Sequence, residues 1–329
     1  MSSKIVELQS LQYLKCDFMK LEEPPTILRG LPALEELFMK GMKFDSFEFI
    51  GNLKHLKSLS IGSKKSSVPK SLANLTQLEN LDLDYNKLGA VPEEIAVLKN
   101  LRQLDIGRNE ILELPAFIGE LIHLQELDEE LNLISNYCGK LPDFIGELNS
   151  LKLLALRGNS LKYLPSSIYQ LENLERLLLS NNQITFLSDS IRQLKNLQKL
   201  NISTNKLTTL PSGIAQLTKL KTLDLYKNAI IHLPQEFGQM KALQWMNLEN
   251  NKLTQLPESI GDLKNLKVLN LNKNQLEELP QSFGNLESLE SLSLKDQPLS
   301  GELPDSFYRL PNLQRLSLAY PQRPAFTDK

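Results

Sequence analysis

Cysteine and histidine are scarce in this sequence, which contains two cysteines and three histidines in 329 residues. Cys16 and Cys138 fall on apolar positions of the surrounding pattern, so we expect two buried thiols that are too far apart to pair. His55, His123 and His232 are widely separated and are expected in solvated connections. This scarcity argues against a disulfide framework and against a histidine-based metal or proton-transfer site.

Long apolar runs and a surplus of one charge sign are missing as well. Apolar residues recur singly and never reach the run of about 18 that a membrane-spanning helix needs. The N-terminal residues lack the apolar segment of a signal peptide. With 37 basic and 39 acidic residues the net charge is −2, which argues against a nucleic-acid or anionic-membrane partner. We therefore expect a cytoplasmic protein, and a secreted or cell-surface protein whose signal has been removed is the alternative.

The motifs of common enzyme classes are absent too. The sequence has no phosphate-binding glycine loop, no G-x-S-x-G and no C-x-x-C. Asp82, Asp84 and Asp105 are expected to share one face of a sheet and to lie close together. Because an open sheet is expected to provide no pocket for a paired-carboxylate catalyst, the sequence predicts no enzyme activity, no cofactor and no metal site.

One repeated pattern fills the chain instead. Residues 197–219 read L-x-x-L-x-L-x-x-N-x-L-x-x-L-P-x-x-I-x-x-L-x-x, and the next copy follows directly. With Leu197 as position 1, the alternation around Leu200 and Ile202 is typical of a short strand with one buried face. Pro211 and the helical spacing after it predict a short helical or 3₁₀ turn on the opposite side. One such coil cannot bury its apolar face alone, so the pattern predicts stacked coils with parallel strands.

This pattern resembles that of leucine-rich repeat proteins. The L-P-x-x-I-G-x-L segment at residues 256–263 is similar to the 23-residue type of intracellular Ras-group and Scribble-like proteins and of many bacterial ones. The resemblance covers nearly the whole chain and implies an α/β repeat fold, a curved solenoid with a parallel β-sheet on its concave face and short helical or 3₁₀ segments on its convex face. Extracellular relatives usually carry clustered cysteines at their ends, so the lack of such clusters favours a reducing compartment.

The repeat predicts a single leucine-rich repeat domain over residues 1–329. Its parts are irregular repeats at 1–77, regular repeats at 78–288 with a longer repeat at 124–150, and a variant repeat with a tail at 289–329. In the longer repeat, four additional residues are expected to add a turn of convex-side helix that ends near Glu129 and Glu130. Residues 298–304 resemble a plant-type repeat with an extra short strand. The irregular N-terminal repeats are expected to open first.

Asparagine occupies position 9 of consecutive repeats. A buried amide there can bond backbone groups that are left unpaired where the chain leaves the strand, so we expect a structural ladder of asparagines. Its members are Asn86, Asn109, Asn136, Asn159, Asn182, Asn205, Asn228, Asn251 and Asn274.

Positions 3, 5, 7 and 8 of each repeat point off the open face of the sheet, where a partner can bind without disturbing the core. Trp245 and Tyr226 are expected to anchor the partner, because exposed Trp, Tyr and Arg dominate interface energies. A rival patch centres on Leu178. The candidate partner-binding residues are Tyr226, Trp245, Val268, Asp224 and Glu249 in one group and Leu153, Leu178, Arg157 and Arg176 in the other. Incidental exposure is the plainer alternative.

These features favour a non-catalytic scaffold that binds a protein or peptide on its concave face and is a monomer. The resemblance to Ras-group proteins implies a signalling adaptor. Two alternatives stay open. In the first, the chain is the recognition arm of a larger enzyme or signalling protein, such as a GTPase, kinase or ubiquitin-ligase-like effector. In the second, it is a cell-surface recognition protein.

Overall fold

The computed structural model describes residues 3–19, 21–44, 46–63, 68–121, 123–124, 130–149, 151–299 and 303–318. The chain forms two compact units, Met1–Ser160 and Leu161–Lys329, and the same repeat builds both. They are called the first unit and the second unit below.

In the first unit, the strands of successive repeats pair in parallel. A leucine at the centre of each strand pairs with the leucine of the next, as Leu37 does with Leu59 and Leu59 with Leu81, so the buried side chains stack in a row. The strands are β1 Tyr13–Lys15, β2 Glu36–Met42, β3 Ser58–Ser63, β4 Asn80–Asp82, β5 Gln103–Asp105, β6 Glu130–Asn132 and β7 Leu153–Ala155.

The longer repeat takes up its four additional residues between β5 and β6. Gln103 pairs with Glu130, 27 residues on, whereas Asn80 pairs with Gln103, 23 residues on. The expected additional helical turn falls largely on residues 125–129, which lie outside the described residues. The turn was predicted to end near Glu129 and Glu130, and this is wrong for Glu130, because Glu130 is already the first residue of β6.

The strands of the second unit also pair in parallel, and most partners are 23 residues apart, as in the pairing of Leu200 with Leu223. Leu200, Ile202 and Leu197 are fully buried, as the apolar alternation predicts. The strands are β8 Arg176–Leu178, β9 Lys199–Asn201, β10 Thr222–Asp224, β11 Trp245–Asn247, β12 Val268–Asn270, β13 Ser291–Leu294 and β14 Arg315–Leu318.

Each strand is preceded along the chain by a short 3₁₀ helix. In most repeats a proline in extended conformation stands directly before the helix, as Pro211 does with φ of −70° and ψ of 153°. The proline ring disfavours a helical conformation for the residue before it, so the helix begins only after the proline. The helices are η1 Ser3–Glu7, η2 Thr26–Gly30, η3 Glu48–Asn52, η4 Lys70–Asn74, η5 Glu93–Val97, η6 Ala116–Glu120, η7 Asp143–Glu147, η8 Ser166–Gln170, η9 Asp189–Gln193, η10 Ser212–Gln216, η11 Phe237–Gln239, η12 Glu258–Asp262, η13 Gln281–Asn285 and η14 Phe307–Arg309.

The repeat of η3, which has no proline before its helix, fills its coil with aromatic side chains. Phe44, Phe47 and Phe49 are all buried, and the rings of Phe44 and Phe47 meet edge to face with centroids 4.8 Å apart. Between β2 and β3 the register shifts between Met39 and Met42. The first unit is therefore irregular where the sequence pattern is irregular. Whether it opens first stays a prediction.

The variant repeat near the C-terminus is described only in part. Residues 300–302 lie outside the described residues, and the predicted extra strand of residues 298–304 falls on them. Among the described residues, no helix has the length and apolar character required to cross a membrane.

Candidate functional site

The asparagines at position 9 tie each strand end to the neighbouring repeat. The Nδ2 of Asn251 donates to the carbonyl oxygens of Leu248, at 3.0 Å, and Leu225, at 2.9 Å. Its Oδ1 accepts from the N–H of Ile230 at 3.0 Å. One buried side chain thus satisfies three backbone groups, two of them in the preceding repeat. Asn136 makes the same set of bonds in the first unit.

Glutamine continues the ladder where asparagine stops. The Oε1 of Gln297 accepts from the N–H of Leu276 at 3.1 Å, and its Nε2 donates to the carbonyl oxygen of Leu271. Gln297 is buried like most of the asparagines. Its longer side chain reaches the equivalent backbone groups, a role that sequence reasoning missed.

Directly before the ladder residue, at position 8, the backbone adopts a left-handed conformation. Glycine suits this conformation and occupies two such places, Gly41 with φ of 69° and Gly158 with φ of 71°. Bulky residues occupy it elsewhere in the first unit, with φ of 57° at Phe18, 65° at Tyr85 and 51° at Arg108. A left-handed conformation costs a residue with a Cβ about 1–2 kcal/mol. These side chains are therefore held on the inner face at an energetic cost.

Five of the predicted binding residues lie on the inner face of the second unit, and we call them the second-unit surface: Asp224, Tyr226, Trp245, Glu249 and Val268. Trp245 begins β11, and its strand neighbours are Thr222 and Val268. Trp245, Tyr226 and Val268 are half-buried, so each keeps part of its side chain available to a partner. Tyr226 lies four positions beyond Thr222, about 13 Å along the strand direction. The two aromatic residues therefore stand at opposite ends of the surface.

Both carboxylates of the second-unit surface are held by neighbours. Burial raises the pKa of Asp224, while the hydrogen bond from the N–H of Tyr226, at 3.1 Å, and the charge of Lys199 lower it by less. Glu249 accepts from Nδ2 of Asn270 at 2.9 Å. The acidic groups are thus oriented by the sheet before any partner arrives.

The second group of predicted residues does not form one exposed patch. In the second unit, Leu178 is half-buried and Arg176 is exposed. In the first unit, Arg157 is exposed but Leu153 is only 4% exposed, and its neighbour Ala155 is buried. The expectation that Leu153 offers an apolar surface is therefore wrong. Leu153 begins β7, and side chains on strands about 4.8 Å apart can cover a leucine at that position.

The three aspartates of the first unit come together as predicted, but with two cations that sequence reasoning missed. Asp84 accepts from Nε of Arg108 at 2.9 Å and from its Nη2 at 2.7 Å. Lys40 Nζ lies 2.6 Å from Oδ2 of Asp82. The hydrogen bonds and charge of Asp84 raise the pKa of Arg108, and the nearby charges of Asp105 and Asp82 add to this effect. The group is a network of ion pairs and not a bare acidic zone.

Small residues on β3 open two concavities in the inner face of the first unit. The inner-face positions of β3 hold Ser58, Ser60 and Gly62, and Lys40 reaches from β2 across β3 to Asp82 on β4. One concavity, about 340 Å³, lies over the two serines, and we call it the polar notch. The other, about 350 Å³, lies over Gly62. The expectation that an open sheet offers no pocket is therefore wrong, because a missing side chain leaves a notch.

Aromatic side chains border the concavity over Gly62, and we call it the aromatic notch. Its lining residues are Phe18, Lys40, Gly41, Gly62, Asp84, Tyr85 and Arg108. Phe18 is 77% exposed and Tyr85 is 64% exposed. Neither was predicted as a binding residue, although both stand at position 8, where the sequence pattern already places a side chain on the inner face.

The remaining reactive groups are chemically quiet. Burial raises the pKa of Cys16 and of Cys138 to about 11, so neither thiol is ionised near neutral pH. Both are free. Within the described ranges, no three histidine, cysteine or acidic side chains are grouped so that they could hold a metal ion.

Comparison with known proteins fits this geometry. The family model described as "Leucine-rich repeat region" matches residues 129–202 and 237–328, half of the chain, and a second model, "Leucine rich repeat", matches residues 195–253. A solved leucine-rich repeat protein of Leptospira interrogans is 35% identical with a TM-score of 0.88, over 96% of this chain and 80% of that one. The chain belongs to the leucine-rich repeat family.

Two further solved structures are similar to this leucine-rich repeat chain. An internalin of Listeria monocytogenes shares the fold, at 24% identity and a TM-score of 0.79 over 98% of this chain and 90% of that one. The plant peptide hormone receptor RGFR1, solved in complex with RGF2, is 28% identical with a TM-score of 0.74, over 94% of this chain and 55% of that one. No curated protein matches the chain significantly.

Proposed function

We propose that this chain is a non-catalytic protein-interaction module that binds a protein or peptide partner on the inner face of its strands. The observation that carries the proposal is the second-unit surface. Trp245, Tyr226 and Val268 keep part of their side chains accessible on a sheet face whose other positions are mostly polar. Tryptophan and tyrosine are the residue types that contribute most to interface energies.

The family supports a binding role without naming the partner. The similar plant peptide hormone receptor RGFR1 was solved in complex with RGF2, and that ligand belongs to that receptor alone. The 23-residue type, akin to Ras-group and bacterial members, is part of the proposal and favours a cytoplasmic scaffold or signalling adaptor. A secreted or cell-surface recognition protein, or the recognition arm of a larger enzyme, is the competing proposal. The full reading frame and fractionation of the source cell distinguish them.

The proposal is tested by affinity capture from source lysate, with quantitative mass spectrometry of the captured proteins. Wild type is compared with the double variant Tyr226→Ala/Trp245→Ala. Phe186→Ala is the matched control, because Phe186 is an exposed aromatic residue of the second unit outside the inner face. A partner that is enriched by wild type and by the control, and lost with the double variant, is the expected result. Equal enrichment by all three proteins would refute the proposed surface.

A further inference from the structure

We propose that the aromatic notch of the first unit is a docking site for a peptide segment that carries an aromatic residue beside acidic ones. The site is separate from the second-unit surface and selects its ligand by a different set of side chains. Its aromatic walls, its cationic rim and its unusual backbone each point to the same chemistry.

The walls of the notch are two large rings with little covering them. Phe18 and Tyr85 are both mostly exposed and face a concavity of about 350 Å³. The ring of Phe18 lies over Gly41, where a Cβ would overlap it. Because Gly41 and Gly62 lack side chains, the space between the rings stays open. A volume at the low end of ligand pockets fits one side chain of a partner, and aromatic walls favour an aromatic one.

The rim of the notch presents Arg108 to solvent and keeps the carboxylate of Asp84 below it. The side chain of Arg108 is 57% exposed whereas that of Asp84 is 11% exposed. The other cation of the lining, Lys40, is paired with Asp82, and their side chains are 26% and 36% exposed. The lining residues carry two positive charges, on Lys40 and Arg108, and one negative charge, on Asp84, and Arg108 is the charged group that a ligand meets first. An acidic segment is therefore complementary to the rim, whereas a basic one is not.

Arg108 is prepared for this contact. Its Nε and Nη2 are bound by Asp84, which fixes the plane of the guanidinium group. Five N–H donors are available on an arginine, and two suffice for Asp84. The remaining donors belong to a side chain that is 57% exposed, and they can bind a carboxylate of the ligand while the plane stacks against its aromatic ring.

The backbone adds an independent argument. Phe18 and Tyr85 both adopt the left-handed conformation, with φ of 57° and 65°, where a bulky side chain is disfavoured. Among the described residues of the second unit, those at position 8 are polar: Asn181, Thr204, Lys227, Asn250, Lys273 and Asp296. The two aromatic residues described at position 8, Phe18 and Tyr85, border the same notch. Strain of this kind is tolerated where the side chain serves binding.

The test uses four blocked pentapeptides and isothermal titration calorimetry on the intact chain. The probe is acetyl-Gly-Asp-Trp-Glu-Gly-amide. Its companions replace the acids by amides, replace the acids by lysines, or replace Trp by Ala. We expect the acidic aromatic peptide to bind at least about tenfold tighter than each companion. Its preference over the neutral peptide should disappear near 1 M salt, because the Debye length there is only about 3 Å.

The matched variants are Tyr85→Asn and Lys227→Asn, which make the same replacement at position 8 of the first and second units. Asparagine tolerates the left-handed conformation, so both variants should fold, and the melting temperature of Tyr85→Asn should equal or exceed that of wild type. We expect Tyr85→Asn to weaken binding of the probe at least about tenfold and Lys227→Asn to leave it unchanged. Arg108→Gln should abolish the preference for the acidic peptide over the neutral one.

Three results would overturn the proposal: equal or tighter binding of the basic peptide, equal effects of the two asparagine variants, or full competition by inorganic phosphate. The last would identify an anion site without an aromatic subsite. These measurements test the aromatic notch of the first unit. A negative result would therefore leave the proposal for the second-unit surface unaffected, because the capture experiment tests that surface separately.

Discussion

The carboxylate of Asp189 accepts a hydrogen bond from the backbone N–H of Gly213 in the next repeat, at 2.7 Å from Oδ1. The same oxygen accepts from the hydroxyl of Ser212 at 3.1 Å. Glu258 makes an equivalent connection, with the N–H of Ser282 at 3.0 Å from Oε2. The first N–H groups of a helix have no partner within that helix. Each carboxylate therefore satisfies the start of the next 3₁₀ helix and links two repeats.

These connections predict that stability of the second unit falls in acid. The hydrogen bond from Gly213 lowers the pKa of Asp189 most, and that from the hydroxyl of Ser282 lowers the pKa of Glu258 most. A carboxyl with a lowered folded-state pKa stabilises the fold above its unfolded pKa, near 4, and this contribution is lost as pH falls through the folded value. Melting temperatures from about pH 7 to 3 should therefore decline.

The matched variants separate this effect from general acid unfolding. The double variant Asp189→Asn/Glu258→Gln should melt lower than wild type at neutral pH and depend less on pH below about 5. Glu277→Gln, at an exposed position of the same unit, should follow the wild-type curve. A double variant whose curve runs parallel to that of wild type would show that these carboxylates do not carry the dependence.

Most of the fold was predictable because the repeat specifies it locally. The leucines and the asparagine of each coil have one arrangement that buries them, and this arrangement sets strand, turn and register together. The role of Gln297 was missed because glutamine differs from the repeat in residue type while it makes two of the same bonds to the preceding repeat. The end of the additional turn at Glu130 was misplaced because an apolar spacing of three and four does not tell where a strand takes over.

The binding surfaces were less predictable, since exposure depends on neighbours in space. Leu153 occupies an inner-face position and is nevertheless buried. The notches arise because Ser60 and Gly62 fall on adjacent inner-face positions of one strand while larger residues flank them. Phe18 and Tyr85 could have been found from sequence, because large rings at position 8 conflict with the left-handed backbone that glycine there implies.

The glycine of the L-P-x-x-I-G segment is predicted to be required for close packing of neighbouring helices. A Cβ at Gly261 would overlap the carbonyl oxygen of Ser282 and lie 2.8 Å from its Cβ. Gly261→Ala should therefore destabilise the chain by about 1–3 kcal/mol in urea unfolding, although alanine favours helices. Ala215 stands at the place equivalent to Gly261 two repeats earlier, and the helix that follows it, η11, spans three residues and not five.

Gly139→Ala is the control for this change, because nothing lies within 4 Å of the Cβ that it would add. We expect its free energy of unfolding to stay within about 1 kcal/mol of wild type. If both alanine variants unfold at the same urea concentration, close approach of the helices is not what selects glycine at position 261.

The ladder asparagine Asn251 is predicted to stabilise the second unit through its three backbone partners. Asn251→Ala leaves the N–H of Ile230 and the carbonyl oxygens of Leu248 and Leu225 without this side chain, at a cost of about 1–3 kcal/mol. Asn285→Ala makes the same replacement at an exposed position and should change stability by less than about 0.5 kcal/mol. Urea unfolding followed by circular dichroism measures both, and similar midpoints would contradict a structural role.

Trp245 is predicted to be the dominant contact of the second-unit surface. Once a partner has been captured, Trp245→Ala should weaken its binding by at least about 2 kcal/mol, roughly thirtyfold, in calorimetry. Because Trp245 is half-buried, we also expect a small loss of stability, on the order of 1 kcal/mol. It is the only tryptophan in the chain, so its fluorescence should shift to the blue when the partner removes water from the ring.

The rival contact around Leu178 is distinguished by the same measurements. Leu178→Asp places a charge at a half-buried position of β8 and would abolish binding if the partner lies there. In that case Trp245→Ala would bind like wild type and the fluorescence of Trp245 would not respond. Loss of binding with Trp245→Ala, an emission shift in wild type and unchanged affinity of the Phe186→Ala control together require direct contact at Trp245. An affinity that neither substitution alters would instead place the partner outside the inner face of this unit.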